Sequence, residues 1–289
     1  MKTLQELLDL LHLKKIDDQR FEGQNYMTPW GRVFGGQVLG QALNAAYQTV
    51  PEDRLTHSLH GYFILQGKLD LPVHYQVETL RDGKSFTTRR ITALQENKAI
   101  FVMAVSFQKE QTGIDHQVEK PNVLPPEVLL PDQKQLEYLQ KKSPELYTML
   151  TAIRPEILEF RSVEHIDPTS HQPTRPERHV WFRINSAATQ LTQAQQHQIL
   201  AFASDYNLLI TAVQPHRGKI KREQMFMASL DHAMWFHRSF SLDQWVLYAI
   251  ESPSASNARG FANGKIFSQD GALIASVSQE GVIRTHPVN

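Results

Sequence analysis

The chain has 289 residues and contains no cysteine. This absence excludes disulfides, cysteine-ligated metal sites and a thiol nucleophile, and it fits a reducing compartment. An excess of positive charge is also missing, because 30 Lys and Arg residues balance 30 Asp and Glu residues. Proteins that bind nucleic acids usually carry a basic surface, so the composition gives no reason to expect that class of partner.

Long apolar runs and targeting signals are missing as well. The chain has no stretch of roughly eighteen consecutive apolar residues, so we expect no membrane-spanning helix. The N-terminal segment alternates leucine with charged residues and lacks the apolar core of a signal peptide. The last four residues, 286–289, do not form a peroxisomal Ser-Lys-Leu signal. We therefore expect a cytoplasmic protein.

Sequence motifs for common cofactors and nucleophiles are absent too. The chain has no Walker loop, no dinucleotide fingerprint and no Gly-x-Ser-x-Gly nucleophile elbow. The histidine pairs His57 with His60, and His232 with His237, have odd spacings, which place the two side chains on opposite faces of a strand. We therefore expect neither a metal ion nor a cofactor.

Prolines are distributed unevenly along a chain that is otherwise apolar enough, at 41%, to form a core. Nine of the fifteen prolines lie between Pro121 and Pro176. Proline removes a backbone donor and fixes φ, so this segment should resist regular sheet, although residues 131–154 could form one or two short helices. The predicted division is an N-terminal repeat at 1–110, a linker at 111–178 and a C-terminal repeat at 179–289.

The two parts that flank the linker resemble each other. In each part, an apolar helical segment closed by proline precedes a strand with a histidine and aromatic residues, a second strand, a Ser and Arg pair, and a β-rich run. Equivalent positions are 164 to 173 residues apart throughout, which indicates an internal repeat. The matched segments are Gly35–Val50 with Ile199–Gln214, His60–Phe63 with His232–Phe236, Val77–Thr79 with Ile250–Ser252, Ser85 and Arg89 with Ser256 and Arg259, and Ile100–Gln108 with Leu273–Gln279.

Each repeat is predicted to be one apolar helix wrapped by an antiparallel sheet. Turns with Asp-Gly at 81–84 and 269–271 are typical of hairpins, which pair strands antiparallel. A helix that is too apolar for the surface has to be covered by the sheet. This is the hotdog arrangement, so the sequence predicts an α+β double hotdog. Its two long central helices are each wrapped by a sheet, and the sheets join edge to edge, which also hides strand edges.

Several strings in the sequence resemble the acyl-CoA thioesterase II family. The resemblance covers nearly the whole chain outside the linker, and its most specific string is Asp231–His237. It implies a double hotdog enzyme that hydrolyses medium- to long-chain fatty acyl-CoA to free fatty acid and CoA, and it implies a homo-oligomer, normally a tetramer. The matching strings are Phe34–Val38, Ala203–Asn207, Ser229–His237, Ser256–Phe261 and Ser278–Gly281.

The resemblance also implies the catalytic residues, since the family uses an Asp, a Thr or Ser, and a Gln. The matching positions are Asp205, Ser229 and Gln279. Asp205 also stands out by itself: if 199–214 is one helix, it lies on an apolar face, where a carboxylate is costly unless it is functional or hydrogen-bonded. Ser229 lies in a strand-like run, 225–237, and it and Gln279 are by themselves ordinary polar strand residues. Gln41, at the position aligned with Asp205, cannot act as a base, so we expect an asymmetric site.

The expected mechanism is attack of a water molecule on the thioester carbonyl. Asp205 would act as the general base or orient the water, and Ser229 and Gln279 would hold that water. Burial should raise the pKa of Asp205 towards neutrality. The backbone amides of Gly35 and Gly36 are candidate donors to the oxyanion.

Three alternatives remain open at this stage. Ser229 could be a nucleophile activated by Asp205, although a serine normally needs a His or Lys partner. The chain could instead be a dehydratase or hydratase of the same fold that pairs His57 with a carboxylate of the other repeat. It could also be a non-catalytic acyl-CoA binder, which would need no buried acid.

Overall fold

The computed structural model describes residues 1–165, 167–186, 190–220 and 224–285. Linker residue 166 and the C-terminal tetrapeptide 286–289 lie outside this range. Within it, no helix combines the length and the apolar character needed to cross a membrane.

The N-terminal half contains a short amphipathic helix, a buried central helix and a set of strands. Thr3 caps the first helix, because its side chain accepts a hydrogen bond from the backbone N–H of Glu6. The second helix is buried on all sides from Gly36 to Ala46, as expected for a central helix. The elements are α1 (Leu4–Leu11), β1 (Lys14–Lys15), β2 (Arg20–Gly23), α2 (Gly35–Tyr47), β3 (Leu55–Phe63), β4 (Val73–Asp82), β5 (Phe86–Gln95) and β6 (Lys98–Gln108).

The proline-rich segment contains short helices, as predicted, but it also contains a strand. The expectation that this segment holds no regular sheet is wrong at β7, whose residues pair with the following strand. The reason is local, since Pro155 and Pro168 flank the strand and no proline interrupts it. The elements are η1 (Pro126–Val128), α3 (Asp132–Gln135), α4 (Leu139–Lys142), α5 (Pro144–Ile153) and β7 (Leu158–Ser162). The division at 110 and 178 stays a prediction.

The C-terminal half repeats the arrangement of a buried helix and long strands. Its central helix begins at a capping box, in which Thr192 and Gln195 bond to each other's backbone amides. The elements are β8 (Glu177–Ile184), α6 (Gln193–Ser204), α7 (Leu208–Thr211), η2 (Gln214–His216), β9 (Met225–Ser229), β10 (Asp231–Phe236), β11 (Val246–Ser256), β12 (Arg259–Ser268) and β13 (Leu273–Thr285).

Two predicted elements of this half are broken in the structure. The prediction of one helix over 199–214 is wrong, because α6 ends at Ser204 and Asn207 adopts a left-handed φ of 71° before α7 begins. Asparagine is one of the few residues that tolerate this conformation, and it stops a helix. The strand-like run 225–237 is likewise two strands, β9 and β10, separated by Leu230.

The described strands form a single thirteen-stranded sheet in the order β1-β2-β4-β5-β6-β3-β10-β13-β12-β11-β8-β7, with β9 paired to β13. All pairs between these strands are antiparallel, including the hairpins of β4 with β5 and of β12 with β13. The two halves join where β3 pairs with β10, with Leu59 opposite Met234. The α+β double hotdog with sheets joined edge to edge is therefore confirmed.

The central helices α2 and α6 lie against each other in antiparallel directions. Gly36 at the start of α2 faces the carbonyl of Phe202 near the end of α6. Further along, the Asn44 side chain donates to the Gln198 side chain at 3.2 Å. The start of α2 therefore meets the end of α6.

The linker covers part of the outer face of the C-terminal sheet. A cluster of Trp181, Trp245, Leu247 and Phe267 packs against linker residues that include Val123 and Leu129. The Trp181 indole N–H also donates to the Leu124 carbonyl at 2.9 Å. The outer face at the β3–β10 junction instead carries exposed aromatic side chains, Tyr62 and Trp235.

Candidate active site

Asp205 lies where the two central helices meet. It is the residue that follows the last turn of α6, and it is partly buried. Its Oδ2 accepts a hydrogen bond of 2.9 Å from the backbone N–H of Gly36, in the first turn of α2. The N-terminal end of a helix carries partial positive charge, so α2 favours the ionised form of this carboxylate.

Two glycines allow this close approach between the helices. A Cβ atom at Gly35 would lie 2.7 Å from Asp205 Oδ2 and 3.0 Å from the Phe63 ring. A Cβ atom at Gly36 would lie 2.3 Å from the Phe202 carbonyl oxygen. Any side chain at either position would therefore force the helix ends apart or displace the carboxylate.

Gln279 and Ser229 complete a connected group with Asp205. The Gln279 Nε2 donates to Asp205 Oδ1 at 2.7 Å and lies 3.1 Å from Ser229 Oγ. The β9–β13 register explains this, because Ser229 lies opposite Gly281, two residues along β13 from Gln279 on the same face. Gln279 thus lies within hydrogen-bonding distance of both other residues singled out in the sequence.

Burial raises the pKa of Asp205 above its usual range. The hydrogen bonds from Gln279 and from the Gly36 amide act in the opposite direction, because both stabilise the charged form. The direction of the net shift agrees with the expectation from the sequence. A carboxylate with a raised pKa is better matched to taking a proton near neutral pH.

Sequence reasoning missed two members of this group, His232 and Ser204. The buried His232 ring lies between them: its Nε2 is 2.9 Å from Ser204 Oγ and its Nδ1 is 3.2 Å from Gln279 Nε2. Burial lowers the pKa of His232 to about 3, so the ring is neutral. One signal was available, since the alternation in β10 places His232 on the inward face with Met234.

Several other expectations do not match the geometry. Gly36 N–H, considered as an oxyanion donor, is bonded to Asp205 instead. In the described chain the Ser229 hydroxyl contacts Gln279 and not Asp205, which argues against Ser229 as a nucleophile activated by that carboxylate. His57 contacts Ser106 at 2.8 Å and the Phe86 ring, so it forms no pair with Asp205. Gln41 lies inside α2 and accepts a hydrogen bond from Tyr75, whereas Asp205 follows the end of α6.

Aromatic side chains surround the helix junction on its apolar side. The Phe34 ring packs on Phe202 and on Tyr206, with centroid distances of 5.3 and 4.6 Å. The Tyr26 and Tyr206 hydroxyls are 3.4 Å apart. Burial raises the pKa values of both tyrosines, and the charge of Asp205 raises them further.

Family models match both halves of the chain. The model for the acyl-CoA thioesterase N-terminal domain matches residues 24–108. The model described as acyl-CoA thioesterase matches residues 161–282. Both Asp205 and Gln279 fall in the second match.

Known proteins resemble the chain along nearly its whole length. Acyl-CoA thioesterase 2 of Haemophilus influenzae is 41% identical over 282 residues, covering 97% of this chain and 98% of that protein. Human acyl-coenzyme A thioesterase 8 is 40% identical, covering 96% of this chain and 88% of that protein. The crystal structure of the acyl-CoA thioesterase II TesB2 from Mycobacterium marinum superposes with a TM-score of 0.78 at 36% identity, covering 96% of this chain and 97% of that one.

Proposed function

Since the chain belongs to the acyl-CoA thioesterase family and is a thioester hydrolase, we propose that it hydrolyses medium- to long-chain fatty acyl-CoA with Asp205, Ser229 and Gln279. The observation that supports this most directly is the connected group itself. Three side chains meet at the junction of two buried helices. One follows the end of α6 and is a carboxylate with a raised pKa, and the other two come from β9 and β13.

The reaction begins with a water molecule held at Asp205. As the water oxygen attacks the carbonyl carbon of the thioester, Asp205 takes one of its protons. The C–S bond then breaks, and the CoA thiolate leaves and takes up the proton that Asp205 removed from the water. The products are the free fatty acid and CoA, and Asp205 is ionised again.

Gln279 and Ser229 hold the water. The Gln279 Oε1 is buried and has no hydrogen-bond partner among the described residues. Such an atom needs an explanation in a native structure, and a bound water that donates to it supplies one. The Ser229 hydroxyl lies 3.1 Å from the Nε2 of the same Gln279 amide and provides a further polar contact for the water.

The start of α2 stabilises the negative charge that develops on the carbonyl oxygen. The first amides of a helix lack partners within the helix. Gly36 N–H binds Asp205, so the amide of Gly35 is the neighbouring donor for the oxyanion. The aromatic residues around the junction provide the apolar surroundings that a fatty acyl chain requires.

We also propose that the enzyme works in fatty acid metabolism in the cytoplasm and that it forms a homo-oligomer, a tetramer by resemblance to its family. The exposed Tyr62 and Trp235 at the β3–β10 junction support an interface on the outer face of the sheet. The composition without cysteine supports a reducing compartment.

The experiment that tests the proposed catalytic function measures thiol release from saturated acyl-CoAs, C4 to C18, by the wild type and by Asp205→Asn. We expect the highest kcat/KM with the medium and long chains, and about a 10²–10⁴-fold loss in the variant, because the general base is removed.

Asp231→Asn is the matched control. Asp231 is also half-buried with a raised pKa, but its carboxylate accepts from the Glu280 backbone amide, and the neighbouring His232 points to the opposite face. This control should keep wild-type rates. Full activity of Asp205→Asn would reject Asp205 as the base, and a preference for C4 would reject the proposed substrate range.

A further inference from the structure

A chain of buried polar contacts connects the end of α6 to the candidate catalytic residues. The Tyr248 hydroxyl donates to the backbone carbonyl of Ser204 at 3.0 Å. The Ser204 hydroxyl contacts His232, which contacts Gln279, which donates to Asp205. Ser204 and His232 are fully buried, and neither has a part in the mechanism proposed above.

The proton positions along this chain follow from the partners. Ser204 Oγ is 2.9 Å from the Ala201 carbonyl oxygen, which can only accept and is a stronger acceptor than the Met234 sulfur at 3.3 Å. The hydroxyl hydrogen therefore points to Ala201, and Oγ accepts from the Nε2–H of His232. A neutral imidazole carries a single N–H, so Nδ1 of His232 is an acceptor.

This tautomer fixes the orientation of the Gln279 amide. The Gln279 Nε2 has two hydrogens, and the shortest contact, to Asp205 at 2.7 Å, takes one of them. The other hydrogen lies towards His232 Nδ1 at 3.2 Å and Ser229 Oγ at 3.1 Å. With both hydrogens directed in this way, the buried Oε1 is left without a protein partner in the described residues. A flipped amide would place oxygen against both the carboxylate and the imidazole lone pair.

We propose that His232, held by Ser204, is a positioning residue that fixes the Gln279 amide with its nitrogen towards Asp205 and its oxygen free for the attacking water. This inference rests on the proposed function. Without His232, the amide can rotate about its last side-chain bond. The water then loses its acceptor, and Asp205 loses a hydrogen bond that stabilises its charge.

The other groups that face Asp205 do not titrate in the working range. Burial raises the pKa of Tyr26 to about 12 and raises the pKa values of Tyr206 and Tyr248 well above the usual range, so the three phenols stay neutral. Arg154 from α5 faces Tyr206 and donates to the Asn207 side chain at 2.6 Å. Its guanidinium also pairs with Asp132. A shift in the acidic limb of the rate profile therefore reports on Asp205.

The test compares pH–rate profiles of the wild type, three variants and one control variant. His232→Phe keeps an aromatic ring but removes both ring nitrogens. Ser204→Ala removes the hydroxyl that sets the tautomer of His232. For His232→Phe we expect kcat to fall about 10- to 100-fold with KM unchanged, because a small misplacement of a reacting group has effects of this size. The acidic limb should move to higher pH, because Asp205 loses a bond that lowers its pKa. Ser204→Ala should also lower kcat and move the acidic limb to higher pH.

His232→Asn is the conservative variant, since the Asn side chain can place an acceptor near the position of Nδ1. It should recover most of kcat and the wild-type acidic limb. His197→Phe is the matched control: this histidine is also buried with its pKa lowered to about 3, but it contacts Tyr47, not Gln279. It should keep the wild-type profile.

The proposal is overturned if His232→Phe keeps the wild-type kcat, or if its kcat falls only with the folded fraction while the acidic limb stays in place. If His232→Phe does not fold, Ser204→Ala is judged by the same criteria. His232→Asn is judged by the opposite ones: a folded His232→Asn variant that loses kcat and shifts the acidic limb as far as Ser204→Ala does overturns the proposal. Failure of the proposed function is separate, because it would appear in the wild type and in Asp205→Asn before any His232 variant is compared.

Discussion

In the proposed mechanism, the protonation of Asp205 sets how the rate falls at acidic pH. Below its pKa the carboxylate is protonated and cannot take a proton from water, so kcat/KM falls as the pH falls through that pKa. Burial raises the pKa of Asp205, so we expect the acidic limb to lie above the usual range of an aspartate. Gln279→Leu removes a hydrogen bond that lowers this pKa, so we expect the limb to move to still higher pH, together with a loss of rate. The measurement is kcat/KM against pH.

Gln108→Leu serves as the control for that experiment. Gln108 matches Gln279 in the repeat, but it lies at the end of β6 with a weak contact to Gln111. Its profile should equal that of the wild type. An acidic limb that stays in place or moves to lower pH in Gln279→Leu would contradict the assignment of the limb to Asp205.

The sequence revealed the catalytic candidates unequally. Asp205 was visible because a carboxylate in an apolar stretch is costly wherever it lies. Ser229 and Gln279 looked like ordinary strand residues, since their partners lie 50 and 74 positions away along the chain. Ser204 and His232 were missed for the same reason: their significance depends on a contact between a helix end and a strand, which no local pattern encodes.

At the scale of elements, the packing of α2 on α6 depends on the first residues of α2. Gly36→Ala would place a Cβ atom 2.3 Å from the Phe202 backbone oxygen. A backbone atom cannot turn aside as a side chain can, so the two helices must separate. We expect the free energy of unfolding to fall by about 1–3 kcal/mol. We also expect kcat to fall, because the Gly36 amide moves away from Asp205. Urea denaturation and initial rates measure the two effects.

Gly113→Ala is the matched control for Gly36→Ala. An added Cβ atom at Gly113 meets nothing within 4 Å, so stability and rate should stay at wild-type values. Wild-type stability of Gly36→Ala would show that the helices can separate without cost, and it would contradict the close packing described for them.

The limits of α6 could not be predicted from apolar periodicity. The apolar pattern continues past Asp205 into α7, but a single left-handed residue, Asn207, ends the regular helix. The start of the helix was missed because its first residues are glutamines and a histidine, which carry no apolar signal although Gln196, His197 and Gln198 are buried. Buried amides satisfied by hydrogen bonds, such as Gln196 with the Leu242 N–H, are invisible to that criterion.

At the scale of the whole molecule, the outer face of the sheet is covered unevenly, and this predicts where copies of the chain meet. Tyr62 is 61% exposed on β3, which pairs with β10 at the junction of the two halves. Tyr62→Glu would place a charge in an interface formed there, and burying an unpaired charge is costly. We expect the wild type to sediment as a tetramer and the variant as a smaller species.

Leu80→Glu is the control for the assembly experiment. Leu80 is 48% exposed on β4, away from the junction of the halves. It should leave the sedimentation coefficient unchanged. A monomeric wild type, or a Tyr62→Glu variant that sediments as the wild type does, would contradict the proposed interface.

The overall architecture followed from the repeat, because near-constant spacing between matched segments required two copies of one fold. An edge-to-edge junction of the two sheets was also expected, since pairing hides two edges, but the sequence did not identify β3 and β10 as the strands that form it. The repeat did not show which individual residues occupy equivalent positions in the two halves of the structure. Gln41 aligned with Asp205, yet one lies inside its helix and the other follows the end of its helix.

Two antiparallel helices of similar length meet at both of their ends. At one end the Gly36 amide faces Asp205. Towards the other, His197 of α6 bonds to Tyr47 of α2, and its ring stacks on Phe236 and Phe240. In an assembly of two identical single-repeat chains, every substitution would occur twice and both ends would change together. With the repeats fused, mutation and selection can act on each end separately, so one end can keep a charged acid for chemistry while the other is filled with aromatic rings.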